Sequence, residues 1–374
     1  MSVVLIVCGG TGGHLSPGIA LAEALGARGH ECLLLVSEKG VDARLLEKYP
    51  KLQFLRAPGT GLKITAGGVL HFAIETARSL LFSLRLVRAR RPAVLVAFGG
   101  FLSIGPTLAA RLMGTPVALH EANRVAGKAV RALSRFAARV WVPAGVAVPR
   151  IAARALRSAG FPVREEIVPL PAAAARRSLG FPQEGCLLLV IGGSQGAAPL
   201  NEWALRNREK FFAAGVHVLC VTGQSASSAA PAANDAVGGG IVFRCIPFCD
   251  RMADVLSAAD LAVSRAGAGT VAEFVVCALP SILVPYPQAA DKHQDANACH
   301  LEKLGGCRVL PQNQIATTAD PAASTASTEH LTAEVLRLLQ DAAALAVFRE
   351  NLRAARGEFA WQHIVADIEQ LMRK

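Results

Sequence analysis

Short apolar runs alternate with alanine-rich stretches along most of this chain of 374 residues. The runs consist mainly of valine, isoleucine and leucine, and the stretches between them have the apolar spacing of helices. Strands that are apolar on both faces are typical of parallel sheets, because crossover helices cover both sides. We therefore predict an α/β fold with strands at 3–7, 32–36, 52–56, 94–97, 116–119, 139–142, 187–191, 216–221, 241–244, 261–264 and 281–284.

A Gly/Pro break at 160–164 separates two similar halves. The length is sufficient for two α/β domains, each with its own core. We predict a first domain at 1–163 and a second at 164–360, followed by a terminal helix at 361–374 that returns to the first domain. Two stretches rich in small and polar residues are predicted to be surface loops, namely 225–240 and 316–328.

Composition and charge narrow the class of protein. With 52% hydrophobic and 18% charged residues, the chain is neither disordered nor fibrous. The positive charge is confined to residues 1–163, which hold 21 Lys and Arg against 7 Asp and Glu, a net +14, whereas the remainder holds 18 against 21, a net −3. Such asymmetry predicts an anionic partner for the first domain, such as membrane lipid, nucleic acid or a phosphate-bearing substrate.

The cysteine pattern and the apolar segments exclude other classes. Nine cysteines without a CxxC pair predict reduced thiols in a cytosol, and Cys245 and Cys249 lack the second ligand pair of a zinc site. The apolar segment at residues 3–7 ends at a glycine turn, which predicts a first strand and no signal peptide.

Charges interrupt the apolar window 69–87, so we do not expect this segment to span a membrane. No metal ion and no cofactor is predicted.

Two glycine-rich turns follow apolar strands in matching positions of the two halves. The first is Gly9-Gly10-Thr11-Gly12-Gly13-His14, before a helix expected to begin near Pro17, and the second is Gly192-Gly193-Ser194-Gln195-Gly196-Ala197. Glycines at such turns let backbone N–H groups approach an anion, which the helix N-terminus then favours. The pair predicts two nucleotide-type domains that face a shared cleft.

Further motifs accompany the two turns in a fixed order along the chain. They are Pro17-Gly18, Gly99-Gly100-Phe101-Leu102-Ser103, His120-Glu121-Ala122-Asn123, Gly160-Phe161-Pro162-Val163-Arg164, Arg265-Ala266-Gly267-Ala268-Gly269-Thr270-Val271-Ala272-Glu273 and Asp291-Lys292-His293-Gln294 through Asn297. With these motifs the sequence resembles the MurG family over nearly its whole length. The resemblance implies a GT-B fold of two Rossmann-like parallel-sheet domains facing a central cleft. It also implies inverting transfer of N-acetylglucosamine from UDP-GlcNAc to the C4 hydroxyl of lipid I, which gives lipid II for peptidoglycan.

The resemblance assigns UDP-GlcNAc mainly to the second domain. Ser194 and neighbouring amides would bind the diphosphate, while Gln294 and Asn297 would meet the sugar hydroxyls. Glu273 would accept hydrogen bonds from the ribose hydroxyls, or would only complement the helix dipole. The complete set of UDP-GlcNAc-binding residues is Thr11, Gly12, Gly13, Asn123, Arg164, Ser194, Cys249, Ala268, Gly269, Thr270, Val271, Ala272, Glu273 and Gln294.

At three positions in these motifs the sequence either differs from the family or leaves two roles open. Cys249 would border the uracil, where the family commonly has an aliphatic residue. Arg265 would neutralise the charge of the leaving group or form a structural ion pair. Phe101 stands where the family often has tyrosine, so catalysis by a phenol is excluded there, although stacking against a sugar is not.

An inverting transfer needs a base that takes the proton of the acceptor hydroxyl. His14 is the first candidate because imidazole titrates near neutral pH, although a histidine there would also suit phosphate binding or helix capping. Glu121 is the alternative base, unless it forms a structural pair with His120. Thr11, Gly12 and Gly13 would then cradle the diphosphate of the acceptor or border the donor.

Residues 62–91 predict contact with a membrane surface. Apolar side chains are interspersed with Lys and Arg there, and residues 51–163 hold 17 basic residues against Glu75 and Glu121. Apolar side chains bordered by cations favour anionic lipids, by roughly 1 kcal/mol for each basic group near the surface. A buried helix with a solvated basic edge is the alternative. With the polyprenyl acceptor that the resemblance implies, we predict a peripheral enzyme on the cytoplasmic face of the bacterial inner membrane that binds no nucleic acid.

Three other functions remain compatible with the residues. Another GT-B transferase, acting on a different glycolipid or a natural product, would share the donor half. A nicotinamide-dependent dehydrogenase would need GxGxxG, in which Leu15 occupies the final glycine position, although Glu38 follows the second strand. A membrane-docked nucleotide-sugar sensor would bind the donor without releasing UDP.

Overall fold

The computed structural model describes residues 1–9, 12–38, 43–61, 65–149, 151–193, 195–223, 235–237, 240–314 and 321–373. It divides the chain into two units, one formed by Met1–Glu165 with Glu358–Lys374 and the other by Glu166–Gly357. These divisions lie two and three residues from the limits predicted at 163 and 360. Each unit contains one largely parallel sheet with helices between its strands, so the predicted α/β class is confirmed.

Strands and helices alternate along the first unit. Up to residue 165 its elements are β1 (Val3–Gly9), α1 (Gly12–Gly26), β2 (Glu31–Ser37), α2 (Ala43–Lys48), β3 (Gln53–Ala57), α3 (Ala66–Arg90), β4 (Val94–Ala97), α4 (Ile104–Leu112), β5 (Val117–His120), α5 (Lys128–Leu133), β6 (Arg139–Val142) and β7 (Leu156–Ser158). The strands are parallel and stand in the order β3-β2-β1-β4-β5-β6-β7. The strand order reverses between β1 and β4, which makes their carboxyl ends a topological switch point, where open α/β sheets bind ligands.

Both faces of this first sheet are buried. Val4, Ile6 and Cys8 of β1 belong to one core cluster, and Leu5 and Val7 belong to another. Side chains alternate between the faces of a strand, so the unbroken apolar run of β1 supplies both cores at once. This is the arrangement that the sequence pattern predicted.

The structure corrects two details in the first unit. Helix α1 begins at Gly12, so Pro17 lies inside the helix and not at its start. Proline has no N–H, so Pro17 cannot donate to the carbonyl of Gly13 and the first turn has one hydrogen bond fewer. The sequence pattern also missed β7, because only Leu156 of its three residues is apolar.

The second unit repeats the scheme. Its elements are α6 (Ala172–Leu179), β8 (Cys186–Ile191), α7 (Ala198–Arg206), α8 (Arg208–Ala213), β9 (Val216–Val221), β10 (Asp235–Val237), β11 (Ile241–Ile246), α9 (Met252–Ala258), β12 (Leu261–Ser264), α10 (Ala268–Cys277), β13 (Ser281–Leu283), α11 (His293–Lys303), β14 (Cys307–Val309), α12 (Pro321–Gln340) and α13 (Ala342–Ala355). The order is β10-β11-β9-β8-β12-β13-β14, in which β10 alone of the described strands runs antiparallel to its neighbour. β8 and β12 form the switch point of this sheet.

The predicted surface loops differ from the structure. Residues 321–328 of the predicted loop 316–328 belong to α12, because an alanine-rich segment is a strong helix former even when Ser and Thr are frequent. Most of the other predicted loop, 225–240, lies outside the described residues, and 235–237 form β10. Strand β14 was also not predicted.

The end of the chain returns to the first unit as α14 (His363–Met372). Ile364 and Ile368 on this helix are buried in the same core cluster as Val4 and Ile6 of β1. Asp367 accepts hydrogen bonds from the indole N–H of Trp141 and from Nε of Arg139, both at 2.9 Å. The terminal helix therefore closes one face of the first sheet.

Candidate active site

His14 lies at the switch point of the first sheet. A Cβ at Gly9 would lie 3.1 Å from Nδ1 of His14, and a Cβ at Gly100 would lie 3.3 Å from the same atom. Gly9 is the last residue of β1 and Gly100 follows β4, and their φ angles of 59° and 74° favour glycine. The half-buried imidazole is thus held between two backbone segments at the carboxyl ends of neighbouring strands.

The N-terminus of α1 carries the other predicted residues of the first turn. Thr11 lies outside the described residues, while Gly12 and Gly13 are the first two residues of the helix. Around Gly13 a Cβ would meet no described atom within 4 Å, so there is open space beside the first helical turn. The N–H groups of that turn have no partner within the helix, which suits an anionic group.

Phe101 projects from the loop after β4. The hydroxyl of Ser103 donates to the carbonyl of Gly99 at 2.5 Å, which fixes the short turn that carries Phe101. The ring lies over Gly59, where a Cβ would come within 3.5 Å of it, and Phe101 remains 37% exposed. The partly exposed ring of Phe101 therefore follows directly after Gly100, the residue that lies against the imidazole of His14.

N–H donors enclose the carboxylate of Glu121, which follows β5. Oε1 accepts from the backbone N–H and from Nδ2 of Asn123 at 2.9 and 3.1 Å, and Oε2 accepts from the N–H of Gly127 at 2.6 Å. The residue is only 5% exposed. The partners of this carboxylate are thus amide groups and not the neighbouring His120, with which the sequence suggested a pair.

His120 is buried at the end of β5. Its Nε2 donates to the carbonyl of Gly160 at 2.9 Å, which assigns the proton to that nitrogen. Its Nδ1 is buried without a hydrogen-bond partner in the described part of the chain. Burial, as the largest cause, and the neighbouring His14 lower the pKa of His120 to about 4, although the bond to Gly160 acts in the opposite direction. His120 is therefore neutral near pH 7.

The second glycine turn follows β8 and packs against the end of β9. Gly196 and Gly223 have φ angles of 78° and 79°, and a Cβ on either would collide with the backbone of the other segment. Ser194, which the sequence assigns to the diphosphate, lies outside the described residues. Helix α7 begins at Ala198 directly after the turn, so its N-terminus lies at the switch point of the second sheet.

Arg265 follows β12 at the same switch point. Its Nη1 donates to the carbonyls of Val284 and Pro285 at 3.0 and 3.3 Å, and its Nη2 donates to Oε1 of Gln312 at 2.5 Å. The side chain is buried, and this burial lowers the pKa of the guanidinium. Among the described residues no carboxylate pairs with it, so the structural ion pair that the sequence left open is not formed there.

The predicted run Ala268, Gly269, Thr270, Val271, Ala272 and Glu273 forms the start of α10. The first three residues are half-buried, and their N–H groups belong to the open first turn of the helix. Val271 and Ala272 are buried, and the N–H of Val271 donates to the carbonyl of Gly267 at 3.0 Å. Ala268, Gly269, Thr270 and Glu273, which are half-buried, are thus better placed for direct ligand contact than the buried Val271 and Ala272.

Two side-chain amides of α11 hold the loop before α10. Oε1 of Gln294 accepts from the N–H of Ala266 at 3.3 Å and from the N–H of Tyr286 at 2.9 Å. Asn297, one turn later, donates from Nδ2 to the carbonyl of Ala266 at 3.1 Å. The helix is preceded by Asp291 and Lys292, both with positive φ, so this part of the second unit stores backbone strain.

The remaining predicted residues are half-buried. Asn123 and Arg164 belong to the first unit, and Cys249 follows β11 in the second. Burial is the largest cause that raises the pKa of the Cys249 thiol, so it is protonated near pH 7 and resembles a small apolar side chain. Within the described ranges, no group of three His, Cys, Asp or Glu side chains is arranged to hold a metal ion.

Two protein-family models match this chain and define the class of enzyme to which it belongs. The model of the glycosyltransferase family 28 N-terminal domain matches residues 4–142, and that of the glycosyltransferase family 28 C-terminal domain matches residues 187–351. The two domain matches cover both glycine turns and both switch points. They define a glycosyltransferase of family 28, and this leaves the dehydrogenase interpretation without support.

Relatives that match over most of the chain show which members of glycosyltransferase family 28 it resembles. The chain is 48% identical over 374 residues to the UDP-N-acetylglucosamine--N-acetylmuramyl-(pentapeptide) pyrophosphoryl-undecaprenol N-acetylglucosamine transferase of Opitutus terrae, covering 100% of this chain and 96% of that protein. A protein of the same name from Parasynechococcus marenigrum is 36% identical over 327 residues, or 84% of each chain. The crystal structure of MurG from Acinetobacter baumannii matches with a TM-score of 0.69 and 26% identity over 98% of this chain and 99% of that one. The chain belongs to the MurG family, and the predicted GT-B fold is confirmed.

Proposed function

We propose that this chain is an inverting N-acetylglucosaminyltransferase. It moves GlcNAc from UDP-GlcNAc to the C4 hydroxyl of polyprenyl-pyrophosphoryl MurNAc-pentapeptide, lipid I, and yields lipid II and UDP. The names of the relatives describe this transfer. The observation that carries the proposal for this chain is the placement of His14 at the switch point of the first sheet, between Gly9 and Gly100.

His14 acts as the base in this proposal. Its imidazole takes the proton of the acceptor hydroxyl while the oxygen attacks C1 of the sugar, and UDP leaves from the opposite face. The alternative base, Glu121, is less suited because three N–H groups already occupy its oxygens. Gly12 and Gly13 offer the N-terminus of α1 to the diphosphate of the acceptor, to which the sequence also assigns Thr11.

The second unit binds the donor. The N-terminus of α7 and the open first turn of α10 offer N–H groups to the diphosphate of UDP, to which the sequence also assigns Ser194. The buried charge of Arg265 contacts carbonyl oxygens and the ring of Tyr286 but pairs with no carboxylate among the described residues, so it adds a positive potential for the leaving group. Glu273 receives the ribose hydroxyls, Cys249 borders the uracil, and Gln294 meets the sugar. This set requires no metal ion.

The outer face of α3 is the proposed membrane contact. Val69, Leu70, Ile74 and Leu81 are each between 50% and 63% exposed. The inner face carries Ser79, Ser83 and Val87, which are buried where α4 packs against the helix. Leu80, Phe82, Leu84 and Leu86 of the same helix are partly buried against the core, as is usual for a surface helix, so the exposed residues form an additional apolar face that points outward. Such an exposed apolar face favours insertion into the interfacial region of a bilayer.

The charges on the same helix support an anionic leaflet. Arg85, Arg88 and Arg90 are exposed in its C-terminal half, and Arg91 is exposed directly after its last residue. Each basic group near such a surface contributes about 1 kcal/mol, so the cluster adds to the apolar contact. Among the described residues, none of the helices is both long and apolar enough to cross a membrane. The proposal is therefore a peripheral enzyme at the cytoplasmic face of the bacterial inner membrane.

The test is a transfer assay with purified protein, UDP-GlcNAc and a lipid I analogue. We expect release of UDP with formation of the disaccharide lipid, and about 10²- to 10⁴-fold lower kcat for His14→Gln, the usual contribution of a general base. His330→Gln, which changes an exposed histidine on α12, is the matched control and keeps full activity. Transfer to diacylglycerol in place of lipid I, donor binding without UDP release, or loss of turnover on chelation of metal ions contradicts the proposal.

A further inference from the structure

We propose that two uncharged side chains, the ring of Tyr286 and the carboxamide of Gln312, hold the guanidinium of Arg265 so that its whole positive charge acts on the diphosphate of the donor. The inference rests on the proposed function, because it assumes that this diphosphate binds at the switch point of the second sheet. Tyr286 and Gln312 act through Arg265 and are therefore positioning residues. All three residues belong to the second unit.

Arg265 is a buried cation that neutral groups hold. It directly follows β12 and is 7% exposed. A buried charge is costly unless it is paired, and the usual partner of an arginine is a carboxylate. Among the described residues, Arg265 contacts instead two backbone carbonyls, a side-chain amide and an aromatic ring. These groups stabilise the guanidinium without cancelling its charge, which therefore remains available to an anion.

The segment after β13 supplies the two carbonyls. The N–H of Val284 donates to the carbonyl of Ser264 at 2.8 Å, which extends the pairing of β13 with β12 by one residue. The carbonyls of Val284 and Pro285 then accept from Nη1 of Arg265 at 3.0 and 3.3 Å. The ends of the two strands and the guanidinium are thus joined at one edge of the second sheet.

Tyr286 continues this segment and places its ring against the guanidinium. The N–H of Tyr286 donates to Oε1 of Gln294 at 2.9 Å, and its carbonyl accepts from the N–H of Ala289 at 3.0 Å, so its backbone is fixed on both sides. Cζ of Arg265 lies over the ring, 5.5 Å from its centre. The negative face of an aromatic ring attracts a cation at such a distance. The ring therefore stabilises the position of the charge, although it carries no charge itself.

Gln312 holds the other terminal nitrogen of the guanidinium. Its Oε1 accepts from Nη2 of Arg265 at 2.5 Å, from a short helical turn after β14. A glutamate at this position would accept the same hydrogen bond, but it would form an ion pair with Arg265. The amide thus fixes Nη2 while the net charge of the pair stays positive.

These contacts leave part of the guanidinium for a ligand. The group has five N–H donors in a fixed fork, and it forms three hydrogen bonds with the described residues. Because these bonds and the ring restrict its orientation, the remaining donors keep one direction. Such a fork matches the oxygens of a phosphate group. We therefore expect Tyr286 and Gln312 to affect the binding of the diphosphate and not that of the nucleoside.

Binding of UDP and of uridine tests the proposal without turnover. Both affinities are measured by calorimetry on the full chain, with displacement titrations for the weaker ligand. We expect Gln312→Glu to weaken UDP binding about tenfold, which corresponds to about 1.4 kcal/mol, and to leave uridine binding unchanged. Tm should not fall, because an ion pair replaces a hydrogen bond of the same geometry. Gln183→Glu, at an exposed glutamine before β8, is the matched control and keeps the affinity of the wild type.

The ring is tested separately. We expect about fivefold weaker UDP binding for Tyr286→Leu and a change within about twofold for Tyr286→Phe, which keeps the ring. Mono-, di- and trifluorinated phenylalanine at position 286 weaken the negative face of the ring in steps and change its size little. UDP affinity should fall in the same order, whereas a ring that only fills space would give equal affinities across the series.

Each outcome decides a different point. Wild-type affinity for UDP in Gln312→Glu overturns the proposal, as do equal affinities across the fluorinated series. An equal loss of affinity for uridine also overturns it, because this would indicate a general distortion of the second unit. A wild type that binds UDP but transfers no GlcNAc contradicts the proposed function alone, since the UDP affinities still decide the roles of Tyr286 and Gln312. A wild type that binds no UDP contradicts both.

Discussion

The imidazole of His14 lies against the backbone of Gly100. A Cβ at residue 100 would come within 3.2 Å of Cε1 and 3.3 Å of Nδ1 of that ring. Gly100 also has φ 74° and ψ 172°, a combination found almost exclusively at glycine. The position of the proposed base thus depends on a neighbouring residue that has no side chain.

This contact predicts the effect of Gly100→Ala. The added methyl group displaces the imidazole by several tenths of an ångström or more, and we expect kcat to fall at least about tenfold, since misplacement by about 1 Å costs up to 10²-fold. The variant is also destabilised by about 1–3 kcal/mol through backbone strain. The transfer assay and a denaturant melt measure the two effects.

Gly114→Ala is the control for backbone strain. Gly114 has φ 76°, but a Cβ there would meet no described atom within 4 Å. This variant should lose stability without losing kcat at a temperature where it stays folded. Equal kcat for Gly100→Ala and the wild type would show that the imidazole does not need its observed position.

The buried His120 predicts a pH dependence of stability. Its pKa is about 4 in the folded state and near 6.5 when the chain unfolds, so between these values the unfolded state binds more protons. The free energy of unfolding should therefore rise from pH 4 to pH 6.5, by at most about 3 kcal/mol from this residue. His120→Asn should flatten that rise in urea melts, whereas His330→Asn on the surface of α12 should leave it unchanged. An unaltered slope in His120→Asn would refute the assignment.

The exposed face of α3 predicts binding to vesicles. Replacing Leu70 and Ile74 together by serine removes apolar surface equivalent to about 2 kcal/mol of lipid contact, so the partition onto vesicles with anionic lipid should fall roughly 30-fold. Val347→Ser on α13 is the control, because Val347 is as exposed but belongs to the second unit. Sedimentation with vesicles measures the partition. Comparable losses for both variants would place the membrane contact elsewhere.

At Gln294 we expect one substitution to weaken donor binding without lowering the stability of the protein. In Gln294→Glu the carboxylate still accepts from the N–H groups of Ala266 and Tyr286, but it cannot donate to a sugar oxygen. We expect KM for UDP-GlcNAc to rise about tenfold or more while Tm is nearly unchanged. Gln294→Ala loses the two hydrogen bonds as well, so its Tm should fall too. A wild-type KM in Gln294→Glu would mean that this amide only holds the loops together.

The alternation of apolar runs predicted the class of fold because it reflects local chemistry. A run such as Val3–Val7 supplies both faces of a buried strand, and the predicted strands were found. The pattern missed β7, β10 and β14, because strands of three residues are too short to show it. It also took 316–328 for a loop, since small polar residues occur in loops and in helices alike. The motifs were sufficient to recognise the MurG family.

The sequence by itself determined which residues carry the chemistry, because residue types such as His14, Glu121 and Gln294 have fixed donors, acceptors and charges. Tertiary structure alone decided how those groups are used. It enclosed the Glu121 carboxylate in amide N–H groups, left Arg265 without a carboxylate among the described residues, and turned the carbonyl of Gln294 toward two backbone segments. These contacts join residues whose neighbours are set by strand order and loop packing, and no local pattern along the chain encodes such distances.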